Sequence, residues 1–211
     1  MIPSKMEMYN ALAERHGKIF QKKVSSASVA VCGIGGLGSN IAISLARAGV
    51  KNIHIIDFDK VDISNLNRQQ YFLEQLGMYK TDALKETLSH IAPYCEITAD
   101  CVKLNEINIP ELLKHEDIIC EAFDNAETKA MFVNCVLENM PDKYLVSGSG
   151  MAGIDSANMI QTRKITEKFY LCGDEYSDIA DGMGLFSSRV MVCAGHQAHT
   201  ILRIIAGKYE A

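Results

Sequence analysis

The chain has 211 residues, 48% of them hydrophobic and 22% charged, with seven cysteines and no tryptophan. Its formal net charge of −5 gives no electrostatic footprint for nucleic acid, and no apolar run approaches the ~20 residues that cross a bilayer. The opening residues Met1-Ile2-Pro3-Ser4-Lys5-Met6 hold no signal-peptide core. An odd number of cysteines in mostly apolar runs fits reduced thiols, so a cytoplasmic location is expected.

Residues 5–23 read as a charged helix with Met8, Leu12 and Ile19 on one side. Residues 1–24 are thus an N-terminal helical segment, placed to reach a partner. A buried strand over 29–32 runs into Gly33-Ile34-Gly35-Gly36-Leu37-Gly38. A helix over 38–48 follows, with Ile41, Leu45 and Ala48 as its packing stripe and Gly49 as its stop. A second strand over 53–57 ends on Asp57. Residues 58–79 are irregular and polar. The spacing of Leu84, Thr87, Leu88 and Ile91 then predicts a helix over 80–91, stopped by Pro93. Strands over 96–102 and 117–121 and a short helix over 110–114 come next. A helix over 126–139 leads to a strand over 144–147 and a small-residue loop over 148–153. Residues 157–162 and 168–172 read as antiparallel strands. Residues 173–188 form a long glycine-containing loop, and a helix over 190–205 closes the chain. The pattern predicts an α/β fold: a Rossmann-like doubly wound sheet, mostly parallel, with antiparallel strands in the C-terminal part. Residues 1–211 are read as one domain.

Gly33, Gly35 and Gly38 match G-x-G-x-x-G in the strand–turn–helix context that the pattern needs. The first glycine permits a tight turn, the second lets backbone approach a phosphate, and the third packs helix on strand. Free N–H groups at the helix start then face an anion. Asp57 lies about 20 residues beyond the turn, where an acidic residue meets ribose hydroxyls. Asn65-x-x-Arg68, Lys80 and Asp124 all follow carboxyl ends of strands, so the topology brings them to one sheet edge. Two cations, an amide and a carboxylate around a phosphate turn suit ATP better than NAD. Arg68 and Lys80 would stabilise charge built by attack at an α-phosphate. Asp124 would hold Mg²⁺, which binds through one or two carboxylates plus substrate phosphates. Asp124-x-x-Glu127 is equally a capping signature for the next helix.

Together these residues carry a resemblance. The glycine turn with Ser39, Asp57-Phe58-Asp59, Ile63-Ser64-Asn65-Leu66-Asn67-Arg68-Gln69, Gly77-Met78-Tyr79-Lys80 and Phe123-Asp124-Asn125 are similar to the motifs of the ubiquitin-activating-like adenylyltransferases of ThiF, MoeB and HesA type, the short ThiF form above all. The resemblance covers residues from Arg15 to the C-terminus. It implies that Gly35, Gly36, Gly38, Asp57, Asp59, Asn65, Arg68 and Lys80 bind the nucleotide, that Asp124 binds Mg²⁺, and that Arg15 reaches ATP in the other subunit of a homodimer. The implied reaction is attack on the α-phosphorus of ATP by the C-terminal glycine carboxylate of a small ubiquitin-like sulfur carrier ending in Gly-Gly, in thiamine biosynthesis. Arg68, Lys80, Asp124 and Arg15 would be its catalytic groups.

Two departures bear on the chemistry. Longer relatives bind structural zinc through paired C-x-x-C motifs; this chain has no C-x-x-C, so no zinc is expected. Some relatives attack the adenylate with a cysteine, and Cys172, beside Gly173-Asp174-Glu175, is the candidate, with an inert role as the simpler reading. His196 and His199 read as helix surface or core. Other readings of the whole are a molybdopterin or cysteine-synthesis carrier or a modified tRNA base as substrate, an NAD-dependent dehydrogenase, and a nucleotide-sensing module. Partnership with a membrane or nucleic acid is not expected.

Overall fold

The computed structural model describes residues 2–179 and 182–211. Among the described residues, seven strands form one sheet: β1 (Ser28–Cys32), β2 (Asn52–Ile56), β3 (Glu96–Asp100), β4 (Ile118–Glu121), β5 (Tyr144–Gly148), β6 (Gln161–Lys164) and β7 (Phe169–Gly173). Their spatial order is β3-β2-β1-β4-β5-β7-β6. Every pairing is parallel except β6 with β7. The doubly wound reading holds, with its antiparallel pair where the sequence placed it. Order reverses between β1 and β4, and a crevice opens beyond their carboxyl ends at such a switch point.

Burial on both faces explains the unbroken apolar strands. Val29 and Val31 face a core shared with Ile41 and Leu45 of α3 (Gly36–Ala48), Leu84 and Leu88 of α4 (Lys80–Ile91), and Ile201 of α7 (Ser187–Ala206). Ala30 and Cys32 face the other core, with Ile109 of α5 (Ile109–Leu112) and Phe132 and Val136 of α6 (Ala126–Asn139).

The helix expected over 5–23 is two helices. α1 (Lys5–His16) starts on a reciprocal capping box between Ser4 and Glu7, and α2 (Lys18–Val24) follows Gly17. Gly17 at φ +86 is in the left-handed region that glycine adopts without a Cβ penalty. Ile19, expected on the packing side, is 81% exposed. Residues 157–162 also differ: a 3₁₀ turn, Ala157–Met159, precedes β6. The segment 58–79 is pinned rather than loose. Gly77 N–H donates to the Val61 carbonyl at 2.9 Å, a bridge joins Lys60 to Tyr79, and the Tyr71 hydroxyl donates to the Ile34 carbonyl at 2.7 Å.

Candidate active site

The crevice at the switch point holds a cavity of about 200 Å³. Its floor is the glycine turn. Gly33 sits at φ +81, where a Cβ would lie 2.8 Å from the Phe123 ring. Gly35 caps α3 without any side-chain hydrogen bond, so the first N–H groups of the helix stay open toward the cavity. Gly35 and Gly36 line it. Gly38 does not; a Cβ there would fall 1.9 Å from the Gly33 carbonyl oxygen, so its role is close packing of helix on turn. This division of labour is the one that the motif predicts.

Asp57 leaves β2 at the rim of the cavity. One of its oxygens accepts the Ile34 N–H and the other the Asp59 N–H, both at 2.8 Å. The carboxylate is thereby fixed against the turn while further lone pairs stay open. Lys80, at the first position of α4, is only 5% exposed, and its ammonium meets the Asp59 carboxylate at 2.9 Å. The Arg68 guanidinium folds back on its own loop, donating to the Ser64 carbonyl at 3.1 Å and to Asn67 Oδ1 at 2.8 Å. Those partners are exposed and weak, so an arriving phosphate competes for the same donors.

Asp124 lines the cavity, and among the described residues its carboxylate has no hydrogen-bond partner. The capping role considered for it belongs to Asn125, whose Oδ1 accepts the Thr128 N–H at 2.8 Å. Beneath it, Glu121 is wholly buried at the end of β4. Its carboxylate accepts from Lys129 at 2.8 and 2.6 Å, from the Phe123 N–H at 2.7 Å, and from the Ser147 hydroxyl. This knot shapes the turn that presents Asp124. A single open carboxylate beside a phosphate cradle fits Mg²⁺, which takes most of its other ligands from water and substrate phosphates. Among the described residues, no cluster of three or more histidines, cysteines or acids forms a metal cage.

The other expected residues stand apart. The Asn65 side-chain oxygen Oδ1 accepts the Asp62 N–H at 3.2 Å within the turn that Asp62 caps, and the residue is not on the cavity wall. Arg15 is exposed on the last turn of α1, away from the cavity. Cys172 is wholly buried, and burial pushes its thiol up against the smaller opposing effect of the Thr162 and Thr200 hydroxyls. That is the reverse of an activated nucleophile. All seven cysteines are unpaired, and Cys101 is the exposed one. His196 hydrogen-bonds to the Thr162 hydroxyl at 2.9 Å, and His199 is exposed.

Sequence reasoning missed a third cation on the wall, Lys103, whose ammonium lies 5.7 Å from the centre of the Phe58 ring. Its position just past β3 was the available signal. It also missed the pair Arg189–Asp174. Burial alone would raise Asp174, but the N–H groups of Ser177 and Tyr176, the Ser177 hydroxyl and Arg189 bring it down to about 2.

Adenylyltransferase and sulfurtransferase MOCS3 of Caenorhabditis briggsae is 34% identical over 66% of this chain and 35% of its own length. Molybdopterin-synthase adenylyltransferase of Haemophilus influenzae is 36% identical over 52% of this chain and 45% of its own. The chain thus spans less than half the length of these curated relatives. The crystal structure of E. coli tRNA N6-threonylcarbamoyladenosine dehydratase, TcdA, in complex with ATP has the same fold. It superposes with a TM-score of 0.86 at 20% identity, over 99% of this chain and 98% of that one. E. coli MccB with AMPCPP and MccA gives a TM-score of 0.70 at 22% identity, over 99% of this chain and 67% of that one. The ThiF family model matches residues 9–211, and the chain belongs to the ThiF family.

Proposed function

We propose that this protein adenylylates the C-terminal glycine carboxylate of a small ubiquitin-like sulfur carrier ending in Gly-Gly, with ATP as co-substrate. The observation that carries the reading is one cavity joining an uncapped helix N-terminus, three cations and an unpaired carboxylate. Asp57 would take the ribose hydroxyls. Gly35, Gly36 and the open N–H groups of α3 would take the phosphates, with Arg68 and Lys80 neutralising charge as it builds. Asp59 would hold Lys80 in place. Asn65 would act from its turn, by keeping Arg68 in reach. Asp124 would hold Mg²⁺, which supplies charge neutralisation at the phosphates.

One oxygen of the acceptor carboxylate attacks the α-phosphorus, the bond to the bridging oxygen breaks, and pyrophosphate leaves with that electron pair. An acyl adenylate remains. The acceptor is already ionised at neutral pH, so no strong base is required, and alignment plus charge stabilisation does the work. Residues 1–211 would act as one domain within a homodimer, Arg15 of each copy completing the other's site. Reduced, unpaired cysteines fit a cytoplasmic setting.

The thiamine-pathway carrier is the first assignment. The molybdopterin carrier is the second, supported by the 36% identity to molybdopterin-synthase adenylyltransferase. ATP–pyrophosphate exchange decides both questions. Exchange should require a Gly-Gly carrier, and the carrier giving the larger kcat/KM names the pathway. Arg68→Ala and Asp124→Ala should each cost about 10²-fold or more in exchange, with circular dichroism unchanged. Near-full activity in either variant removes that residue from the mechanism, and exchange without carrier removes the substrate.

A further inference from the structure

Arg189 and Asp174 form an ion pair outside the phosphate cradle, with side chains 4% and 1% exposed. The guanidinium donates to Asp174 Oδ2 at 2.5 Å, to the Ser156 carbonyl at 2.8 Å and to the Asp155 carbonyl. The second oxygen of Asp174 accepts the N–H groups of Tyr176 and Ser177, each at 2.9 Å. The backbone closes in as well: Asp174 N–H donates to the Gly150 carbonyl and Glu175 N–H to the Ser149 carbonyl, both at 3.0 Å. A Cβ at Gly150 would lie 2.1 Å from Asp174 Oδ1.

These contacts bind the strap 149–156, the segment 174–177 and the first turn of α7 into one body. That body forms the cavity wall through Met151 of the strap and Val190, the residue after Arg189. A Cβ at Gly36 would meet Val190 Cγ1 at 3.2 Å, so the clasp is one residue removed from the phosphate turn. Among the described residues, the buried Arg189 Nε has no acceptor. A buried ion pair is weak evidence for stability, and one with an orphaned donor is weaker still, so stability alone does not explain the clasp.

We propose that Arg189 and Asp174 are positioning residues that hold the 149–156 strap against α7, so that the acceptor carboxylate reaches the α-phosphate in line. This rests on the adenylylation reading. Among the described residues, none of the hydrogen bonds of Arg189 goes to the cradle residues Gly35, Gly36, Asp57, Arg68 or Lys80. A loosened strap therefore misplaces the acceptor and leaves ATP affinity intact.

The test uses the full chain carrying Arg189→Lys, Arg189→Met or Asp174→Asn. ATP affinity is read by calorimetry. Exchange is read with a ubiquitin-fold carrier ending in Gly-Gly, and strap mobility by amide hydrogen exchange. With Arg189→Met, kcat/KM for the carrier should fall about 10²-fold, as a misplacement of about 1 Å does, while the ATP Kd stays within about twofold. Arg189→Lys, which keeps the charge but not the fork, should fall in between, and residues 149–156 should exchange faster. Should Arg189→Met not fold, the other two variants carry the comparison. Unchanged carrier kinetics overturn the inference. So does a parallel loss of ATP and carrier terms that tracks the melting temperature, since that marks a plain structural tie. Unaltered protein that binds ATP yet gives no exchange overturns the adenylylation reading itself, and the inference with it.

Discussion

At the residue scale, the glycines of the turn are not equivalent. Gly36 has a side chain and an arginine stem at 3.2 to 3.4 Å from a hypothetical Cβ, both able to give. Gly38 has a backbone carbonyl at 1.9 Å, which cannot give without moving the turn. Gly38→Ala should therefore destabilise the protein by about 3 kcal/mol, at the upper end of overpacking costs, and Gly36→Ala by less. Urea midpoints of the two variants check this, and equal midpoints would refute the assignment of Gly38 to packing. Asp124 and Asn125 make the same point about adjacency. Capping logic is satisfied by either residue, and the backbone path out of β4 settles it. The Phe123 N–H is held by Glu121, Asn125 then falls at the cap, and Asp124 is left facing the cavity.

At the element scale, β2 carries a charge clamp unrelated to the nucleotide. His54 is 6% exposed, with one ring nitrogen 2.8 Å from Glu116 and the other 2.9 Å from Asp100 on β3. Burial alone would depress its pKa, but hydrogen bonds and charge from the two carboxylates outweigh it and raise the value. A raised folded pKa means that the clamp stabilises fully below the unfolded value of about 6.5 and that this is lost as pH rises through the folded value. Stability should thus decline with pH above about 6.5, and His54→Gln should flatten that slope. Chemical denaturation across this pH range measures it, and an identical slope in the variant would refute the clamp. Helices α4 and α6 begin and end where the sequence placed them. But α6 buries Phe132, Cys135 and Val136 rather than the expected face of Ala126, Ala130, Val133 and Leu137, and Leu137 is 39% exposed. α1 and α2 do not form one helix, because at Gly17 the favoured backbone turns the chain and the interaction of His16 with Gln21 at 2.6 Å braces the elbow.

At the scale of the whole molecule, the cavity draws its walls from the ends of β1, β2 and β4, the loop 58–79, and α7. A ligand there ties together segments far apart in sequence, so binding should raise the global melting temperature. At 100 times Kd the linkage is about 2.7 kcal/mol, a shift of roughly 5–10 °C for a chain of this size. Thermal denaturation with ATP and Mg²⁺ should show this shift, NAD should not, and Arg68→Ala should reduce it. An equal shift with NAD would count against the triphosphate. The amino-acid order by itself determined the strand–turn–helix, the parallel sheet with its antiparallel end, and the gathering of Arg68, Lys80 and Asp124 at one edge. Those follow from local rules: apolar periodicity, glycine sterics, and the position of loops after strands. Tertiary structure decided the rest. It kept Asn65 off the cavity wall, buried Cys172, and joined Arg189 to Asp174. Each of these depends on what another segment presents across a gap of a few ångströms, and no spacing along the chain encodes that.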